Sequence, residues 1–378
     1  MAARKVEDFV GSMVGEDLHA KRVLSLSNAT LGVIHGASLG VATIGRALAQ
    51  ARGLETKHAI KQVDRLMSNS GIDVWSLFET WVPSVVGSRP EVVVAMDWTE
   101  FDADGQSTIA LHLLTKHGRA TPLVWKTVQK SELKGERNRH EDDVLERLRE
   151  VLPETVKVTI LADRGFGDVK LYELLGRLGF NFVIRFRGNI QVQADSGETK
   201  TAAEWVLPSG RARLLRHARV TQANFRVPSL VFVRAPRMKE AWFLAASDET
   251  ASASDLVKLY GRRFTIEESF RDIKDLRFGF GLSACRIGDI ARRDRLLFVG
   301  AMAVVLLTLL GSAAEDTGLD RTLKANTVKT RTHSLLNQGL FFYGALPNMK
   351  PHRFEPLMRR FGEILAEQPF FRLVYGQI

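Results

Sequence analysis

Apolar residues recur at helical spacing through the first ninety positions, most clearly over residues 57–66, KHAIKQVDRL. There Ile60, Val63 and Leu66 share one face and Lys57, Lys61 and Arg65 another. Asn69, Ser70 and Gly71 end that helix. From Glu91 the period changes. EVVVAMDWTE reads as a buried strand that runs out into polar residues, and QSTIALHLLT and ATPLVWKTV follow across breaks at Gly105 and Gly118. Together the three predict an antiparallel meander. A helix over 141–151 presents Val144, Leu145, Leu148 and Val151 on one face, VKVTILADRG is a second buried strand, and a helix over 169–178 leads into the strand NFVIRF.

Three strands, helix, strand, helix, strand is the order of a ribonuclease-H-like α+β fold. Residues 191–240 depart from it, with Gly, Pro and alternating β-branched positions that predict a β-rich insertion. WFLAAS is a further strand, after which Ser252 and Ser254 are candidate caps for one long helix over 255–274. Residues 296–310, LLFVGAMAVVLLTLL, carry no charge; as a helix they span about 22 Å, short of a hydrocarbon core of roughly 30 Å, which predicts a core helix and no membrane span.

Composition narrows the partner. The 378 residues carry 53 Lys plus Arg against 43 Asp plus Glu, a net charge of +10, which directs attention to polyanions. The charge is concentrated: residues 211–240 hold eight basic residues and one carboxylate, Glu240, and residues 321–353 hold six basic residues and none. Such density self-repels unless an anion relieves it, and duplex DNA does so more fully than an edge strand requires. The basic helix near residue 60 fits a helix-turn-helix DNA reader, and equally a bundle with a solvated face. A single cysteine, Cys285, excludes a disulfide framework and a cysteine zinc finger, and with no signal-like start the expectation is a cytoplasmic protein. The nine histidines show no HxH or HExxH spacing, and GFGLSACRIG lacks a Walker lysine.

Candidate chemistry falls at strand ends. Asp97 and Asp163 stand where the strands VVVAM and TILA run out, and if those strands are neighbours both carboxylates reach one point. An aspartate at such a place also caps turns. Within 255–274, Tyr260, Arg263, Glu267, Arg271 and Lys274 form one helical stripe, beside an apolar stripe of Leu256, Leu259, Ile266, Phe270 and Ile273. A solvated Arg-Glu ladder has the same spacing. A third carboxylate joined to two strand-end aspartates suits two-metal phosphodiester chemistry, with the neighbouring cations on the strand backbone.

The spacing of Tyr260, Arg263, Glu267 and Lys274 resembles the Tyr-Arg-Glu-Lys signature of bacterial insertion-sequence DDE transposases of the transposon-ten and transposon-five type. MDWTEF and LADRGF resemble that family's two aspartate motifs, and KHAIKQVDRLMSN and LKANTVKTRT its terminal segments. The resemblance implies a ribonuclease-H-like, retroviral-integrase-like core with a β-rich insertion, and Asp97, Asp163 and Glu267 as metal ligands for two Mg²⁺ ions, Mn²⁺ substituting. It implies DNA contacts by Tyr260, Arg263, Arg271 and Lys274, and Trp242 as the platform for a flipped base. The implied division is a helical DNA-end-binding part over 1–88, core over 89–190 and 241–315, insertion over 191–240 and a helical C-terminal region over 316–378. Expected partners are transposon ends, target DNA and a second subunit, in the bacterial nucleoid. A nuclease or resolvase of the same fold, and a DNA-binding regulator without catalysis, remain as alternatives at this stage.

Overall fold

In a computed structural model, residues 3–366 are described apart from 116, 118, 222, 223 and 278; the expected break at Gly118 and residues 367–378 of the C-terminal region lie outside the described set. Five helices come first: α1 (Ala3–Val14), α2 (Ala20–Gly36), α3 (Val41–Arg52), α4 (Thr56–Met67) and α5 (Val74–Val86). On α4, Ala59, Val63, Leu66 and Met67 are buried while Lys57, Lys61 and Arg65 stay exposed, as the periodicity requires. On α5, Trp81 donates its indole N–H to Pro122 O (3.0 Å) and packs edge-on against Phe298, which ties the helices to the sheet behind them.

The middle of the chain is β1 (Glu91–Phe101), β2 (Gln106–Leu114), β3 (Ala120–Gln129), α6 (Arg137–Val151), β4 (Lys157–Ala162), α7 (Val169–Arg177) and β5 (Asn181–Arg185). Then come β6 (Gln191–Gln193), β7 (Thr199–Thr201), β8 (Arg213–Val220), β9 (Phe225–Val233) and β10 (Trp242–Ala246). All ten strands form one open sheet in the order β3-β2-β1-β4-β5-β10-β9-β8-β6-β7. Its first half, an antiparallel meander with β4 and β5 added in parallel, is the expected ribonuclease-H-like order. Residues 191–240 are β-rich as anticipated, and β10 pairs antiparallel with β5 so that the inserted strands continue the same sheet.

Strand alternation sorts the core into two layers. Ala95, Leu161, Val183 and Leu244 face a cluster that includes Leu256, Tyr260 and Ile266, whereas Val92, Val94, Met96 and Ile160 face the larger core. The expected single helix over 255–274 is two helices, α8 (Ala253–Gly261) and α9 (Thr265–Lys274), joined by a 3₁₀ turn over Arg262–Phe264. Ser252 caps α8 by accepting from Asp255 N, and Ser254 lies inside the helix.

The apolar segment near 300 is longer than its uncharged stretch. The helix α10 (Ile290–Asp316) has 27 residues, about 40 Å, enough by length and composition to cross a bilayer. Its apolar window is 89% buried within the fold, so it acts as a core helix. The extra turns include buried charges: Arg293 pairs with Asp104, and Arg295 donates to Ile72 O and Met67 O at 2.8 Å each. The helices α11 (Leu335–Ala345) and α12 (Pro351–Ala366) close the described chain. Gly311 on α10 and Gly339 on α11 face each other's helix so closely that a Cβ at either would overlap a backbone carbonyl, of Leu335 or Leu307.

Candidate active site

The strand register brings the two aspartates together. In the parallel β1–β4 ladder Ala95 aligns with Leu161 and Met96 with Ala162, so Asp97 and Asp163 occupy the next step of adjacent strands. By alternation each stands two positions after a residue of the α8–α9 layer, Ala95 or Leu161, and leaves the sheet on that side. One detail differs from the sequence reading: β1 does not end at Asp97 but continues to Phe101, held by β2 alone, because β4 stops at Ala162. Asp97 is thus fixed in a ladder, and its Oδ1 accepts from Trp98 N (2.9 Å). Asp163 lies in a turn, its Oδ1 accepting from Gly165 N (2.7 Å).

The 3₁₀ turn aims Arg263 inward. The residue is 5% exposed; it donates through Nη1 to Asp97 Oδ2 (3.0 Å) and through Nη2 to Glu267 Oε1 (2.6 Å). One guanidinium therefore joins two of the three candidate carboxylates. Burial pushes the Asp97 carboxyl up to about 6; Arg263 and the Trp98 amide oppose the rise, and Asp163 and Glu267 add to it. A buried acid that feels two further carboxylates is a place where positive charge is stabilised. Among the described residues no three Asp, Glu, His or Cys side chains close on one point, since Glu267 turns to Arg263. All-oxygen carboxylate donors nevertheless fit a hard divalent cation in chemical type.

The remaining predicted residues are not one solvated stripe. Tyr260 is buried and meets Trp242 edge-on at 5.0 Å, and Trp242 lies beside Phe264 at 5.9 Å, a half-exposed aromatic group next to Arg263. Lys274 donates to Glu100 O (2.6 Å) and Thr99 Oγ1 (3.2 Å), pinning the end of α9 to β1, and burial lowers its proton affinity. Arg271 is exposed and pairs with Glu268. The break between α8 and α9 is what turns Arg263 inward and leaves Arg271 outside. Ser269 locks α9 to the start of β3, accepting from Ala120 N (2.9 Å) and donating to Ala120 O (3.0 Å).

This chain belongs to the transposase DDE domain family. The family's model matches residues 88–306, from just before β1 into α10, which takes in both aspartates, the inserted strands and the Glu267 helix. No curated protein matches the chain.

Several groups beside the transposase's candidate site carry no motif in the sequence. Glu141 on α6 is buried, accepts from Trp98 Nε1 (2.7 Å), and has its carboxyl raised by burial to about 7. Arg137 lies 4.8 Å over the Trp98 ring. The pair backs the strand residue after Asp97, and the only signal was a Trp following the aspartate. Arg119 pairs with Asp272 and further fastens α9. Glu240 bridges Arg164 and Arg185; its signal was its isolation as the lone carboxylate of a basic run.

Proposed function

We propose that this transposase moves an insertion sequence by a cut-and-paste route. The observation that supports it most is the register that sets Asp97 beside Asp163, with Arg263 linking Asp97 to Glu267. Asp97, Asp163 and Glu267 would hold two Mg²⁺ ions, or Mn²⁺ in their place. Bound there, the ions supply charge neutralisation at the scissile phosphate and activate the attacking oxygen. The protein's own part is to hold the carboxylates on a rigid sheet edge, to seat the strand against Arg263, Lys274 and Arg271, and to offer Trp242, backed by the buried Tyr260, as a stacking face for an extruded base. In this reading water first cleaves the transposon end. The freed 3′-hydroxyl then attacks the opposite strand to form a hairpin, water opens the hairpin, and the 3′-hydroxyl joins target DNA. The helices of residues 1–88 bind the terminal repeat, residues 191–240 and 316–378 add phosphate contacts, and two subunits pair two ends in the nucleoid.

A labelled transposon end with a supercoiled target tests the reading. A transposase yields cleaved and joined DNA, while cleavage without joining assigns a nuclease or resolvase instead. Alanine at Asp97, Asp163 or Glu267 singly should abolish cleavage and leave end binding intact; full cleavage by Glu267→Ala overturns the triad.

A further inference from the structure

A groove of about 410 Å³ opens next to the candidate active site, between the loop after β4, the end of β5 and the start of β10. Arg164, Arg185 and Arg187 line it together with one carboxylate, Glu240. Arg185 is 9% exposed. Its Nη1 donates to Glu240 Oε1 (2.9 Å) and its Nη2 to Ala241 O (2.9 Å), while its Nε finds no partner among the described residues. Arg164 Nη1 donates to the other oxygen, Glu240 Oε2 (3.1 Å). Arg187 is exposed and in no ion pair among the described residues.

Glu240 thus places one oxygen on each of two guanidinium groups, the arrangement that the two non-bridging oxygens of a phosphodiester adopt with arginine. A half-exposed carboxylate leaves three arginines undercompensated, and the orphaned Nε of Arg185 is a buried donor that no described residue satisfies. The location is specific, since Arg164 follows Asp163 and Glu240 lies two residues before Trp242. We propose that this groove is a phosphodiester subsite for the DNA strand, that Glu240 fills it in the DNA-free protein, and that a backbone phosphate displaces Glu240 on binding. The subsite rests on the functional reading above in that it takes DNA as the ligand.

The test measures binding of the full-length protein to a labelled blunt duplex of mixed sequence, by anisotropy in EDTA over a range of salt. Glu240→Gln keeps the side chain's shape and removes the competing charge, so it should bind about tenfold tighter than wild type. Arg187→Ala, at an exposed position, should bind more weakly and lower the salt slope by about one. Affinity of Glu240→Gln equal to or below wild type, in a variant whose thermal melt shows it folded, overturns the subsite and leaves Glu240 as a carboxylate that only joins the two arginines. A wild-type protein that binds this DNA but neither cleaves nor joins an end overturns the functional reading alone, because the affinity ratio is read without catalysis. A wild type that binds no DNA overturns both.

Discussion

Arg263 holds the position between Asp97 and Glu267 that a divalent cation would compete for, and Arg263→Gln tests this at pH 8 in the DNA-free protein. The bond to Asp97 is largely buried, with side chains 6% and 20% exposed, whereas Glu267 is 48% exposed. A half-exposed pair at this spacing is worth roughly 0.5 kcal/mol, and stranding one partner of a buried pair costs about 3–5 kcal/mol. Glutamine retains some hydrogen bonding, so a loss of about 2–3 kcal/mol is expected in EDTA, which for a chain of this length lowers the melting temperature by about 3 °C. Mn²⁺ or Mg²⁺ should then bind the variant about tenfold more tightly than wild type by calorimetry, since the cation no longer displaces two charge-assisted bonds. The thermal shift on adding metal should grow accordingly. The choice of pH 8 follows from Asp97: its carboxyl, already at about 6, rises further when its cation is removed, and a protonated acid opposes metal. The variant's advantage should therefore shrink on approach to pH 6. Wild-type stability in EDTA together with wild-type metal affinity would show that the guanidinium does not occupy the cations' place.

Glu141 gives a pH test with a defined sign. Its folded value of about 7 lies above the ordinary 4.5, so stability of about 3 kcal/mol is present below pH 4.5 and lost as the pH rises through 7. Glu141→Gln still accepts from Trp98 and lacks the charge, so its urea midpoint should exceed wild type at pH 8 and converge with it in acid; parallel profiles would refute the assignment. Gly311→Ala and Gly339→Ala should each cost about 1–3 kcal/mol in denaturant melts by forcing α10 and α11 apart, and unchanged midpoints would contradict the close approach. DNA affinity should fall steeply with salt. Lys61→Ala on the exposed face of α4 should weaken binding across sequences and reduce the salt slope by about one, while an unchanged slope would remove α4 from the DNA surface.

The parts of the site that were legible in the sequence are those written in local patterns. Runs such as VVVAM and TILA announced buried strands, and an aspartate after each could be placed before any pairing was known. Other features depend on partners far away in the chain. Nothing local says that β1 outlasts β4, since that follows from β2 continuing beside it to Gln106. The sequence places the start of α10 too late because Arg293 and Arg295 look like a polar boundary, whereas Asp104 and the carbonyls of Met67 and Ile72 receive them inside the fold.

The break between α8 and α9 bears most on chemistry. Tyr260, Arg263 and Glu267 fit uninterrupted helical spacing, and the sequence offers only Gly261 as a sign of the 3₁₀ turn. The turn alters what these residues do. On one straight helix Arg263 and Arg271 would be equivalent rungs of a solvated ladder; with the turn, Arg263 is buried against Asp97 and Arg271 stays outside with Glu268. Arg271 therefore has no geometric claim on the carboxylates, and a contact between it and DNA would be that of a screened surface charge. Arg263 is coupled to them directly, so what binds the carboxylates and what binds Arg263 must influence each other. On the proposed function, a cation taking Asp97 and Glu267 would release the guanidinium toward the strand, and a phosphate taking the guanidinium would leave the carboxylates free for a cation.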